Sequence, residues 1–141
     1  MNIDSIQNGI VIDHITAGKG MIIYDRLGLN ALPCQVALIT NASSKRMGKK
    51  DILKVDMTYE PDYDVLAYID PGVTVSIIRD GHLAEKKTFS APEELRGIVK
   101  CQNPRCITTT EQELPQIFRL TDKKKRIYRC IYCEQADKTF S

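Results

Sequence analysis

The first apolar cluster along the chain is the β-branched run at residues 9–15, GIVIDHI, whose composition predicts a strand. Thr16 is placed to cap a helix over residues 17–27, where Met21, Ile22, Tyr24 and Leu27 form an uneven apolar face, with Gly28 and then Pro33 to stop it. Residues 35–40 predict a second strand, and the polar stretch Asn41, Ala42, Ser43 and Ser44 predicts a turn after it. In residues 49–56, Ile52 and Val55 bracket Lys50, Asp51 and Lys54, the pattern of a strand with one wet face. Pro61 opens a short helix to residue 70 with Val65, Leu66 and Ile69 inward. Residues 73–79 and 82–89 flank Asp80-Gly81, a dipeptide suited to a two-residue type I′ hairpin turn.

The order β-α-β-β-α-β with one added strand fits the ferredoxin-like plan, two helices on one face of an antiparallel sheet. The stretch SAPE at residues 90–93 combines a helix-capping signature with Pro92 and marks a domain boundary. Beyond it the pattern predicts a strand near 116–120, a turn at 121–125 and a strand over 126–130. The expected class is α+β: a ferredoxin-like domain over residues 1–92 and a small all-β zinc-ribbon (rubredoxin-like) domain over residues 93–141.

That second assignment rests on cysteine spacing. Cys101 and Cys106 read Cys-x4-Cys, and after a gap of twenty-three residues Cys130 and Cys133 read Cys-x2-Cys. Each pair can supply one edge of a thiolate tetrahedron around Zn²⁺, and Asn103-Pro104 favours a turn that folds the first pair onto one point. Two disulfides, or a redox-active Cys-x2-Cys, are the competing readings. A second domain of forty-odd residues buries too little apolar surface to fold alone, so metal would supply the missing free energy.

Hydrophobic content of 43% and charged content of 27% are values of a globular chain rather than a disordered one. No stretch reaches the roughly eighteen apolar residues of a membrane span, and the N-terminus lacks the basic start of a signal peptide. The chain is therefore expected in the cytoplasm, with no membrane partner, where reduced thiols favour metal ligation. Cys34, in an apolar run, is expected to be a buried inert thiol. Residues 1–95 carry ten Lys/Arg against thirteen Asp/Glu, and residues 96–141 carry ten against five. Zinc on four thiolates contributes a net charge of about −2, which reduces the second part's apparent +5 and weakens the case for a general polyanion binder.

No catalytic set stands out: the histidines are His14 and His82, and there is no phosphate-cradling glycine loop or nucleophile elbow. The first domain instead offers scattered cations, Lys49, Lys50, Lys54, Lys86 and Lys87, with Asp13 and His14 ending the first strand. Lys50 and Lys54 share a strand face. Such a set suits a phosphate-bearing ligand with hydroxyl or amino groups, or simply a solvated sheet face. The basic run from Lys123 to Arg129, with Tyr128 and Tyr132, admits a zinc-ribbon nucleic-acid-binding module as the alternative function, or else an exposed β-turn.

In this order, residues 9–15, the stretch MGKKDILK at 47–54, Cys101-x4-Cys106 and Cys130-x-Tyr132-Cys133-Glu134 make the chain resemble the regulatory chain of aspartate carbamoyltransferase over nearly its full length. The resemblance implies a non-catalytic allosteric subunit of pyrimidine biosynthesis. Its N-terminal domain would bind nucleotide effectors (CTP, ATP, UTP) and pair with a second copy. Its zinc domain would dock on catalytic chains so that regulatory dimers bridge catalytic trimers, with nucleotides rather than nucleic acid polymers as ligands. It further implies that Asp13, Lys54 and backbone groups near Ile6 meet ribose and base, that His14 lies beside them, that Lys86 meets the phosphates, and that Lys50 lies near the triphosphate or a second nucleotide. Asn103 and Glu134 would face the catalytic chain. The chain departs from the pattern at Gly81-His82, where an aromatic-acidic pair is expected, at Gln7, where a basic residue is, and at Arg105, where an uncharged polar residue is.

Overall fold

The computed structural model describes residues 6–111 and 113–137. The chain divides into two compact units, residues 1–90 and 91–141.

The first unit is a five-stranded antiparallel sheet with two helices. In chain order it runs β1 (Gly9–Thr16), α1 (Gly20–Arg26), a single 3-10 turn (Leu29–Ala31), β2 (Val36–Ser44), β3 (Gly48–Val55), α2 (Tyr63–Ile69), β4 (Thr74–Arg79) and β5 (His82–Thr88). The strand order β2-β3-β1-β4-β5 is the expected ferredoxin-like arrangement with β5 added at one edge. Ile10, Ile12, Ile15, Leu53, Val55, Val75, Ile23, Leu66 and Ile69 are fully buried. On the other side of the sheet a smaller cluster forms from Ile6, Val11 and Ile78, with Ile52 against it.

Three β-bulges shape this sheet, none of them predicted by the sequence pattern; one lies in β5 opposite Ile77 and Ile78, and the other two flank β3. Between the pairs Ile12–Leu53 and Ile15–Asp51, β1 places two residues opposite one of β3. His14 takes the left-handed conformation there, φ 58°. The extra residue flips the strand's parity, so that Ile12 and Ile15 both reach the core although they are three apart. The second bulge lies in β2 between Ile39 and Ala42, with Asn41 at φ 56°.

Asp51 lies opposite the β2 bulge, pairs with Ile15 at the end of the β1 bulge, and is 1% exposed. One carboxylate oxygen accepts from the backbone N–H groups of Gly18 and Gly20, at 3.0 Å each, and the other accepts from Asn41 N–H at 3.1 Å. It thus fixes the entry to α1 and the kink of β2 together. Gly20 tolerates no larger residue here, because a Cβ would lie 2.8 Å from the Asp51 oxygen.

Several local expectations are corrected. Thr16 remains in β1, its N–H held by the Asp70 carboxylate at 2.6 Å, and α1 starts only at Gly20 after Gly18 turns at φ 97°. Residues 41–44 continue β2 instead of turning. The cap of α2 is Asp62, whose side chain accepts from Asp64 and Val65 N–H, and Val65 is only half-buried. Cys34 is half-buried rather than buried. The Asp80-Gly81 hairpin forms as expected, with φ 51° and 78° as a type I′ turn requires.

The second unit holds a three-stranded antiparallel sheet of β6 (Glu94–Arg96), β7 (Ile117–Asp122) and β8 (Ile127–Cys130), and a short helix α3 (Ile107–Thr110). β6 and α3 lay outside the sequence reading, and no helix follows the 90–93 signature. Leu95, Ile117, Phe118, Tyr128 and Cys130 are the buried residues of this small sheet, with the Tyr128 hydroxyl donating to Pro92 O at 2.6 Å.

Candidate metal centre and ligand face

The four cysteines converge. The Sγ atoms of Cys101, Cys106, Cys130 and Cys133 lie within 4.8 Å of one another, with Cys101–Cys133 at 3.6 Å and Cys106–Cys130 at 3.7 Å. A tetrahedral ion with about 2.3 Å metal–sulfur bonds has sulfur–sulfur edges of about 3.8 Å, which these separations fit. A disulfide needs about 2.05 Å, and all five cysteines are free. That disposes of the disulfide reading.

The knuckles are built locally. Asn103 makes an Asx turn, its side-chain oxygen accepting from Arg105 N–H at 3.0 Å while its carbonyl accepts from Cys106 N–H. Cys130 O accepts from Glu134 N–H to close the second knuckle, with Glu134 in the left-handed conformation. Outside the four sulfurs, Thr108 donates its hydroxyl to Cys106 Sγ at 3.1 Å, and Gln116 Oε1 accepts from Cys101 N–H at 2.9 Å. Such partners orient ligands and spread thiolate charge.

Burial pushes the Cys101 thiol up to about 12 and raises that of Cys130. At Cys133 burial also opposes ionisation, but the Asn103 side chain, the Gln135 N–H and the neighbouring thiols hold it down at about 7. The Cys133 thiolate is therefore ready near neutral pH, and Cys101 and Cys130 ionise when an ion arrives.

In the first unit the sheet face away from the helices carries the predicted ligand set. Val11, Asp13, Ala42, Ser43, Lys50, Ile52 and Lys54 line an open cavity of about 350 Å³. Asp13, on the same face as Val11, meets Lys50, whose Nζ lies 3.0 and 3.3 Å from its two oxygens. Burial alone would raise the Asp13 carboxyl. The His14 N–H and the Lys50 ammonium outweigh it and hold the group below its ordinary value. The stability this pair contributes is thus complete above the ordinary carboxylate range and is lost as pH falls through the lowered value. Lys54 is only 6% exposed.

The other predicted residues sit differently. Register runs Lys54–Val11–Ser76–Lys86 straight across β3, β1, β4 and β5, so Lys86 shares the face but stands exposed on the edge strand, away from the cavity lining. His14 does not line the cavity; its Nδ1 lies 3.1 Å from Thr74 Oγ1. The Ile6 side chain is buried in the outer apolar cluster and offers a ligand only backbone. Gly81 N–H donates to Gln7 O at 2.9 Å, which ties the N-terminal segment to the hairpin where an aromatic ring was expected. Ala42 and Ser43 were missed as site residues because their polarity reads as a turn.

The basic run forms the exposed β7–β8 hairpin tip, but Tyr128 is buried against its own sheet. Of the two aromatics only Tyr132 is left to stack on a base, so the nucleic-acid alternative loses the interleaving it needs. Among the described residues no helix is long and apolar enough to cross a membrane.

Two family models match. Residues 1–90 match the aspartate carbamoyltransferase regulatory chain, allosteric domain, and residues 93–139 match its metal binding domain. Among curated relatives, the aspartate carbamoyltransferase regulatory chain of Clostridium botulinum (strain Hall) is 46% identical over 135 residues, 96% of this chain and 92% of that one. That of Clostridium acetobutylicum is 44% identical over the same shares. That of Bifidobacterium longum is 41% identical over 138 residues, 98% of this chain and 99% of the relative.

Proposed function

The chain belongs to the family of aspartate carbamoyltransferase regulatory chains, non-catalytic subunits with an allosteric and a metal-binding domain; from that premise we propose that it is a cytoplasmic, zinc-dependent bridge between catalytic trimers that responds to nucleoside triphosphates. The observation that carries the nucleotide reading is the cavity where Asp13, Lys50 and Lys54 meet. A triphosphate needs concentrated cationic donors, and charge-assisted hydrogen bonds from partly buried lysines are the strong ones. The carboxylate of Asp13 accepts from ribose hydroxyls or an exocyclic amine. Lys86 reaches the same ligand from three strands away, a span of roughly 14 Å at about 4.8 Å per strand, where it meets the end of an extended phosphate chain. Without a ring at Gly81, base discrimination falls to Asp13 and to backbone near Ile6.

Four thiolates select a soft, borderline ion such as Zn²⁺ over hard cations. Exposed Ile107 and Ile131 each directly follow a cluster cysteine, and Tyr132 lies between Cys130 and Cys133, so the ion holds an apolar patch in place. Such a patch, with Asn103 and Glu134 nearby in sequence, suits docking on a catalytic chain.

The test is calorimetric titration of CTP, ATP and UTP into the intact chain. Lys54→Met, which keeps the packing, weakens triphosphate binding about tenfold or more, since a charge-assisted contact is worth about 1.5–3 kcal/mol. Lys86→Ala, at a solvated position, weakens it severalfold. Asp13→Ala reduces discrimination among the three more than affinity. Unchanged affinities in all three variants place the site elsewhere.

Pairing with a second copy is supported by the sheet edge. β2 is a free edge of nine residues without a single charge, whereas the opposite edge β5 carries Glu85, Lys86 and Lys87. Charges are what blunt an edge against pairing. Thr40→Lys on β2 is expected to shift the chain from dimer to monomer by sedimentation at fixed concentration; a dimer that persists assigns the contact to another surface.

A further inference from the structure

We infer that the helix side of the first unit holds a second small-molecule site, back to back with the lysine face, for an aromatic zwitterion such as an α-amino acid with a flat side chain. The register that puts Lys54, Val11, Ser76 and Lys86 on one face puts Val55, Ile10, Ile77 and Glu85 in the adjacent row on the other. On that second face, near the β4–β5 hairpin, lies an open cavity of about 200 Å³ lined by Ile10, Ile77, Tyr59, Tyr63, Arg79 and Glu85, with Gly9, Glu60 and Lys87 at its borders.

Its composition is what points to a ligand. The floor is apolar and accessible: Ile77 is only half-buried although Ile10 and Ile78 beside it are buried. The walls are phenol rings already held in place. Tyr63 stacks on Phe89 with centroids 5.7 Å apart and carries Lys87 Nζ 4.3 Å over its ring. The Tyr59 hydroxyl donates to Leu27 O at 3.4 Å. Rings fixed in advance lose little freedom on binding a third ring by stacking or edge contact.

The rim supplies both signs of charge. Among the described residues, no ion pair joins Arg79, Glu60 or Glu85 to a partner. A guanidinium recognises a carboxylate through two parallel hydrogen bonds, and either glutamate accepts from an ammonium group. The two glutamates also repel a triphosphate, so this site and the proposed nucleotide site select different chemistry. The assignment does not depend on the nucleotide reading.

The experiment is an NMR titration of the intact, zinc-loaded chain with L-phenylalanine. L-alanine, phenethylamine and 3-phenylpropionate serve as probes lacking the ring, the carboxylate and the ammonium. Saturable shifts confined to residues 58–63 and 77–87 are expected with phenylalanine, each truncated probe binding at least severalfold more weakly. Arg79→Gln, at an exposed position, weakens phenylalanine about tenfold, and Ile77→Glu removes binding. Absence of saturable shifts overturns the proposal. Equal response to phenylalanine and phenethylamine, or wild-type affinity in Arg79→Gln, overturns it as well.

Discussion

Replacing Cys106 or Cys130 with serine unfolds residues 91–141 and leaves residues 1–90 folded. The small sheet of the second unit buries few large side chains, chiefly Leu95, Phe118 and Tyr128, and a unit of this size rarely stands without a staple. A structural Zn²⁺ supplies an apparent 10–16 kcal/mol or so at neutral pH, far more than the handful that separates a folded domain from an unfolded one. A hydroxyl neither ionises nor binds zinc as a thiolate does, so losing one of four ligands removes most of that term. Amide NMR spectra of the intact variant are expected to keep the dispersed signals of the first unit and lose those of the second, with zinc content falling in parallel. A dispersed second unit without metal would mean that the fold does not need it.

Acid acts in the same direction. The zinc-bound cluster carries thiolates, whereas the metal-free cluster keeps Cys101 and Cys130 protonated and ionises Cys133 only near 7. The metal-bound state therefore holds fewer protons, and affinity falls about tenfold per displaced proton for each unit that pH drops. Chelation at mildly acidic pH should strip the ion soonest and release the chain from catalytic trimers, with the trimers still active. Assemblies that survive complete zinc removal would place the docking contact outside the metal domain.

Asp51→Ala lowers the stability of the first unit by about 2–4 kcal/mol, because three backbone donors, that of Gly20 buried, lose a charged and buried acceptor at once. Asp51→Asn is milder, about 1–3 kcal/mol. Its one oxygen can still serve Gly18 and Gly20, but its amide then faces the N–H of Asn41. The order wild type, asparagine, alanine in denaturant midpoints, read from probes in the first unit, checks this. Equal midpoints would mean that water replaces the carboxylate. Asp51 looked like one more charge on a wet strand face, yet its side chain points to the buried side, opposite Lys50 and Lys54.

That residue marks the divide between what the sequence settles and what it cannot. The two cysteine pairs, the Asp80-Gly81 hairpin and the alternation around Lys50 and Lys54 were legible because their causes are local. Ligand spacing, positive φ at consecutive residues and the two-residue period of a strand are each fixed within a few positions of chain. The resemblance to the regulatory-chain family was legible for the same reason, being carried by short motifs in order. Only the tertiary structure placed the bulges at His14 and Asn41, the late start of α1 and the strand character of residues 41–44. For the start of α1 and the course of β2 through Asn41 the cause is a carboxylate whose donors lie 33, 31 and 10 residues away along the chain. Thr16 has the side chain of a cap, but Asp70, 54 residues on, takes its N–H and keeps it in the strand. Asn41, Ala42, Ser43 and Ser44 have turn composition, but pairing with β3 satisfies their backbone better than a turn would, and the edge position leaves their polar side chains in water. The meeting of Asp13 with Lys50 divides the same way: alternation from Val11 puts the carboxylate on the lysine face, but only the pairing of β1 with the distant β3 sets it beside Lys50.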